Sequence, residues 1–305
     1  MNALLEGVSR KELAARAQAI STAYRSGGGS AAVVSDELDT LAYVVARLPA
    51  TFAVAMAVMT HARDSAPDFA PGSLLDVGAG PATASWAARE TWPGVERLTL
   101  TDSNASFLGL ARKLSPDPDA EFLARDLRRD ELPSADLVVA GYVLAEIPAA
   151  AQHAVVEKLF AAARGMLILI EPGTPEGFAR IRDARSGLIV RGANVLGPCT
   201  HANACPMTGT DWCHFSQRLP RSRDHMHAKR APVPYEDERY AWLAVSRTQR
   251  SAFEGTARVL APPKETKPGL EFKLCTPAGL ENRFAARRDK EAYARLRKVV
   301  WGDAV

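Results

Sequence analysis

The segment Leu74-Leu75-Asp76-Val77-Gly78-Ala79-Gly80-Pro81 constrains the fold of this chain more than any other. An apolar run of buried-strand length ends in a turn with two glycines, and ATASWAARE after it reads as a helix. Glycines in such a turn let the backbone approach a ligand without a Cβ in the way. From Ser73 onward the texture repeats: SLLDVG, ATASWAARE, RLTLTD, ASFLGLARKL, DLVVAGYVL and MLILIE. Strand alternating with helix predicts a parallel α/β sheet covered on both faces, with ligands at the carboxyl ends of its strands.

Acidic residues follow the same rhythm. Asp76 stands two positions before the first glycine, Asp102 ends the next strand, and Asp126 follows a third in LARDL. This ordered series resembles that of class I methyltransferases. The resemblance implies a Rossmann-like sheet holding S-adenosylmethionine at Gly78 and Gly80. Asp102 would accept the ribose hydroxyls, Asp76 would orient the turn or meet the methionine end, and Asp126 would meet the adenine edge. The plainer alternative is that Asp76 and Asp126 cap turns, as short acidic side chains commonly do. Thr83 stands where a dinucleotide fingerprint has its third glycine, which argues against a zinc-stabilised dinucleotide oxidoreductase.

With 305 residues, 47% apolar and 24% charged, the chain has the composition of a globular protein with one main domain and additions. Residues 1–70 read as a helical N-terminal region, broken at Ser26-Gly27-Gly28-Gly29-Ser30 and interrupted by Pro49. Residues 71–186 form the sheet core and 187–234 a Pro/Gly/His/Cys-rich insertion. Residues 235–305 supply closing strands, YAWLAVSR and GLEFKLC, and a basic helix from about Ala285 to Trp301. Without an apolar run of roughly 18 residues or a secretory layout at the start, the expectation is a soluble, cytoplasmic protein with no membrane partner, simplest in a bacterium.

The insertion holds three of the four cysteines, Cys199, Cys205 and Cys213, and Cys275 ends GLEFKLC. In a reducing compartment such clustering points to a metal. Four soft sulfurs select zinc or an iron–sulfur cluster, and the spacing is not the Cys-x-x-Cys knuckle of structural zinc, so a cluster is favoured. His201 and His214 are expected beside the ligands rather than among them. Inert core thiols are the alternative, opposed by the polar, Gly/Pro-rich character of residues 196–214.

The place where many RNA methyltransferases of this fold carry a catalytic element reads Ala140-Gly141-Tyr142-Val143-Leu144-Ala145-Glu146 and has neither Asn/Asp-Pro-Pro-Tyr nor Pro-Cys. Tyr142 could stack on an acceptor and Glu146 could take a proton, against the plainer roles of core aromatic and helix-start acid. Net charge is +3, yet Thr174–Arg230 holds nine Lys/Arg against four Asp/Glu, and Glu281–Val305 seven against four. The basic surplus therefore lies outside the cofactor core, as suits a polyanion partner. Arg218, Arg221, Arg223, Lys229 and Arg230 are the candidate RNA contacts, with Arg287, Arg288, Lys290, Arg295, Arg297 and Lys298 as a second set.

The combination of LAYVVARLPATFA, LLDVGAGPAT, DLVVAGYVLAEIP, IEPGTPEGF, CTHANACPMTGTDWCHFSQR, PYEDERYAWLAVSR and a terminal WGD closely resembles the methyltransferase-like proteins of the small ribosomal subunit, found in bacteria and mitochondria. That resemblance spans about residue 20 to the end. It implies a 4Fe-4S cluster on Cys199, Cys205, Cys213 and Cys275, and a role in assembling the small ribosomal subunit through contact with its rRNA and proteins, either as a methyltransferase or as a non-catalytic factor. The family reads GAGPGT at the turn, and Ala82 departs from it with a methyl group expected to crowd the cofactor.

Overall fold

Alternate residues of each central strand face opposite ways, and here both sets are apolar. In the computed structural model, which describes residues 5–25, 34–115, 117 and 119–305, the sheet is accordingly buried on both faces. The Ser26–Ser30 break lies outside the described residues.

Strands β1 (Ser73–Val77), β2 (Arg97–Asp102), β3 (Glu121–Ala124), β4 (Ala135–Gly141) and β5 (Ala163–Pro172) pair in the parallel order β3-β2-β1-β4-β5. Beyond β5 the sheet turns mixed. An antiparallel strand β8 (Tyr235–Ser246) pairs with β5, and its far edge is shared by β6 (Asn194–Gly197) and β7 (Phe215–Pro220). This is the methyltransferase-like α/β arrangement.

Helices α1 (Arg10–Arg25), α2 (Glu37–Ser65), α3 (Thr83–Thr91) and α4 (Ala105–Leu114) precede and interleave the first strands. Leu74, Leu137, Val139, Met166 and Ile168 pack against α2 and α3. Leu75, Val138, Leu167 and Leu169 pack on the other face against α5 (Ala149–Ala162) and α6 (Pro175–Val190).

Helix α2 is continuous across Pro49, contrary to the expected interruption. Burial of the same face before and after the proline, through Val44, Val45, Ala50, Val54 and Val58, outweighs the lost amide donor. By length and composition α2 could cross a membrane, but over half of its apolar window is buried inside the molecule, as in a core helix.

Two further expectations are corrected. β6 and β7 both join the main sheet, so the cysteine-bearing excursion shrinks to residues 198–214, carried between two strands on the edge of β8. GLEFKLC is a strand, β11 (Gly269–Thr276), but in a second antiparallel sheet with β9 (Arg258–Val259), β10 (Lys264–Glu265) and β12 (Gly279–Ala286). The basic terminal helix is only α8 (Lys290–Leu296), because Ala285 belongs to β12, whose pairing with β11 occupies that backbone. Between β7 and β8 lies α7 (Arg223–Lys229).

A proline costs about 3 kcal/mol relative to alanine inside an exposed helix. Pro49→Ala is expected to raise unfolding free energy by about 1–2 kcal/mol, since the helix already accommodates the ring; urea denaturation checks this, and an unchanged midpoint would mean that the ring is cost-free here.

Candidate functional site

Two sites emerge at the carboxyl side of the sheet, one at the glycine turn and one at the thiols. At the first, Gly78, Gly80 and Ala82 all adopt positive φ, of 65°, 52° and 67°. The left-handed region is free to glycine but strained for alanine, so Ala82 occupies a backbone conformation that favours glycine. Its methyl group is buried in the core with Ala79 and Ala87, rather than standing free in the turn.

Asp102, buried at the end of β2, accepts the Gly80 amide on Oδ2 and the Asn104 amide on Oδ1, both at 2.8 Å. Its carboxyl therefore ties the turn to the start of α4, while burial pushes its pKa up. Asp76 accepts the Ser85 amide at 3.0 Å and the Ser85 hydroxyl at 2.7 Å. With no cation among these partners, burial pushes the Asp76 carboxyl up to about 6. Asp76 thus orients the helix that follows the turn.

Asp126 lies two residues beyond β3, where Arg128 holds its carboxylate at 2.9 and 3.1 Å and lowers its pKa to about 2. The structure brings Asp102 and Gly80 into contact but turns Asp126 into its own loop.

The segment after β4 closes over this turn. A Cβ on Gly78 would meet Val143 Cγ2 at 2.3 Å. Tyr142 has φ 64°, and its hydroxyl is buried with no hydrogen-bond partner among the described residues. Burial raises its pKa well above 10, which unsuits it for proton transfer near neutrality. Glu146 is exposed in a 3-10 turn. From the other side, Arg47 of α2 pairs with Glu238 of β8 at 2.9 Å, and burial raises the pKa of Tyr43 on the same helix.

Glu171 is not singled out by the sequence alone. Fully buried at the end of β5, it accepts the Leu144 amide at 3.0 Å and the Arg180 guanidinium at 2.6 Å, fixing the loop after β4 against α6. Its only signal is an acid ending the apolar run MLILIE.

At the second site all four cysteines line one cavity of about 30 Å³, walled by Phe178, Met207 and Trp242 among others. The geometry follows from strand pairing. Gly197 of β6 pairs with Ala244 and Phe215 of β7 with Tyr240, so residues 198–214 loop out beside Ala241, Trp242 and Leu243 of β8, which also line the cavity. A Cβ on Gly197 would meet the Trp242 ring at 2.4 Å, so glycine is needed for this close approach.

Cys275 arrives from β11. The second sheet is tied to the loop by Thr200 Oγ1 donating to the Thr256 carbonyl at 2.7 Å, by Asn203 donating to the Pro277 carbonyl at 3.0 Å, and by a Lys273–Asp211 ion pair. Burial raises the Cys199 and Cys213 thiols and pushes Cys275 up to about 12, so without a metal these groups hold their protons.

His201 Nε2 lies 3.5 Å from the Cys275 sulfur, and His214 stacks on Trp212 at 5.1 Å. Trp212 donates to the Gly173 carbonyl at 3.0 Å, joining the thiol loop to the end of β5. Among the described residues no three His, Cys, Asp or Glu groups are arranged to hold a single metal ion.

The expected basic patch of the insertion is largely paired. Arg218 binds Asp237 at 2.7 Å and stacks over Tyr235, while Arg221 and Lys229 share Glu236. Among the described residues Arg223 and Arg230 form no ion pair, and neither do Arg288, Lys290, Arg295, Arg297 and Lys298 near the C-terminus; Arg287 pairs with Glu265.

A parallel sheet with a glycine turn anchored by strand-end carboxylates, joined to a loop that bears three cysteines, defines a protein of methyltransferase-like fold. The family model for "Mitochondrial small ribosomal subunit Rsm22" matches residues 37–305, and the chain belongs to that family.

Among its relatives, the human "Ribosome assembly protein METTL17, mitochondrial" is 26% identical over 293 residues, covering 87% of this chain and 62% of that protein. "Rsm22-cox11 tandem protein 2, mitochondrial" of Schizosaccharomyces pombe is 23% identical, covering 86% of this chain and 42% of that protein. The chain thus spans less than two thirds of the curated relatives it matches. These findings overturn the cytoplasmic expectation: the family and the matched relatives are mitochondrial, a property that the residue pattern at one end of this chain does not determine.

Similar solved structures are the plantazolicin methyltransferase BpumL (TM-score 0.45, 13% identity, 78% of this chain and 97% of that one) and the putative RNA methyltransferase PH1948 from Pyrococcus horikoshii (TM-score 0.40, 13% identity, 65% and 80%).

Gly78→Ala is expected to cost about 2–4 kcal/mol, from the left-handed backbone and the Val143 collision together. On a Val143→Ala background the cost should fall to about 1–2 kcal/mol, the backbone part alone. Denaturant unfolding of the four proteins reads this coupling, and additive losses would show that Val143 does not pack the turn.

Proposed function

We propose that this protein is a methyltransferase-fold assembly factor of the mitochondrial small ribosomal subunit, organised by a metal centre on Cys199, Cys205, Cys213 and Cys275. The observation that carries the reading is the convergence of four thiols from two separate sheets on one cavity, in a chain of the Rsm22 family whose human relative is called a ribosome assembly protein.

The donor set fits the metal. Four thiols and a partly apolar shell suit a 4Fe-4S cluster or, as the alternative, zinc. A cubane takes one cysteine per iron, which suits sulfurs that share a cavity without being arranged around a single ion. Such a centre would cross-link the 198–214 loop to β11 and so fix the second sheet against the first.

S-adenosylmethionine is the cofactor that the glycine turn and the buried Asp102 best support, with Asp76 organising the helix behind them. Asp126 would serve the adenine edge only after releasing Arg128.

A second reading, methyl transfer to small-subunit rRNA, is favoured by this same turn. Against turnover stand the enclosed Tyr142 and the Arg47–Glu238 pair beside it; bound cofactor would then steady the fold. For rRNA contact, Arg223, Arg230 and the C-terminal cations without an ion pair among the described residues are the available members of the basic sets, since Arg218, Arg221 and Lys229 are held by acids.

Anaerobic purification with iron, sulfide and zinc analysis, beside binding of the protein to small subunits, tests the reading. About four iron and four sulfide per chain are expected, lost in Cys205→Ser together with subunit binding. A metal-free natural chain that binds subunits normally would contradict it. Asp102→Ala separates the two activities: loss of methyl incorporation into small-subunit RNA would favour the enzyme, and its absence in the natural chain the assembly factor.

A further inference from the structure

Arg185 on α6 and Arg258 on β9 are 4% and 3% exposed. Among the described residues neither forms an ion pair with a carboxylate. Arg185 donates through Nη2 to the carbonyls of His201 and Asn203, at 2.7 and 2.9 Å, and its buried Nε has no partner. Arg258 donates to the Pro198 carbonyl and the Gly302 carbonyl, both at 2.6 Å. Carbonyl oxygens satisfy donors but do not neutralise charge. An ionised group out of water without a counter-charge is among the costliest arrangements a fold can keep, and a guanidinium does not escape by deprotonating.

The groups that face these two cations are the cysteines. Arg185 lines the thiol cavity and faces Cys199 and Cys275. Arg258 holds the carbonyl of Pro198, the residue before Cys199, and the negative groups that act on it are Cys199, Cys213, Asp303 and Cys275 in falling order. Each arginine also grips the backbone of the cysteine loop, at Pro198, His201 and Asn203.

We propose that Arg185 and Arg258 are the built-in counter-charge of a tetrathiolate metal centre, positioning residues that make the site electrically neutral only when the metal is bound. This rests on the metal centre proposed above and deepens it. On binding, each of the four thiols gives its proton to solvent and bonds to metal as a thiolate. Four thiolates around a 4Fe-4S core of charge two plus, or around a zinc ion, carry two net negative charges. Two guanidinium groups cancel them. Without those thiolates the two guanidinium groups stay buried with only carbonyl partners, and this favours loading.

The arrangement also has a sign. Reducing an iron–sulfur cluster by one electron makes the assembly more negative, which nearby cations stabilise, so both arginines raise its reduction potential.

The test uses the full chain purified anaerobically, comparing the natural protein with Arg185→Gln, Arg258→Gln and Arg258→Lys. Glutamine keeps a hydrogen-bond donor and removes the charge; lysine keeps the charge and gives up the guanidinium geometry. Metal release to a chelator and the midpoint potential of the visible chromophore are measured, with circular dichroism of each protein confirming the fold. The glutamine variants should release metal ~10–100-fold faster and reduce at a more negative potential, with Arg258→Lys near the natural protein.

Equal release and potential in all four proteins would overturn the inference. So would a lysine variant as impaired as the glutamine one, since the carbonyl hydrogen bonds would then be the whole role. Should the metal be zinc, the release rates alone decide. A natural chain devoid of metal would instead bring down the metal centre itself, and this inference with it.

Discussion

Four cysteines lining one cavity at the seam between two sheets are the constraint on which the arrangement of this molecule depends. Three come from a loop hung between neighbouring strands on the edge of β8, and one from a sheet built almost entirely from the last fifty residues. Side-chain and backbone hydrogen bonds tie the loop to that sheet at Thr200, Asn203 and Asp211, but each is a single contact of modest net worth. A metal on the thiols would add a cross-link of a different order, because ligation and folding share one free energy. The buried arginines fit that logic, holding the loop while opposing its collapse around neutral thiols.

The glycine turn obeys an older logic of parallel sheets. Carboxyl ends of β1 and β2 gather there, and their acids accept backbone amides of the turn and of the helices that follow. The loop after β4 then presses Val143 onto Gly78, and Glu171 holds that loop from β5. Since β5 runs on to Gly173, whose carbonyl receives the Trp212 indole, a continuous run of contacts joins the glycine turn to the thiol loop. A metal that orders the loop would thereby bear on the shape of the turn.

Much of this was legible in the sequence. The alternation of strand and helix, the acids of β1 and β2 and the clustering of cysteines follow local rules of period and spacing, and the structure places them together. What escaped the sequence depended on tertiary pairing. Pro49 reads as a helix break, yet burial on both sides carries α2 through it. GLEFKLC shows strand character without showing which sheet it enters. Arg218, Arg221 and Lys229 looked free because their partners, Asp237 and Glu236, lie on the neighbouring strand β8. Arg185 and Arg258 carried no signal at all, since an arginine in a helix or short strand is ordinarily exposed.

The central claim, that all four cysteines share one centre, is tested most directly by X-ray absorption at the edge of the bound metal in the anaerobically purified chain. An all-sulfur first shell at about 2.3 Å is expected, with metal–metal scattering if a cluster is present. Nitrogen or oxygen ligands in that shell would show that a histidine or solvent replaces one of the thiols, and would contradict it.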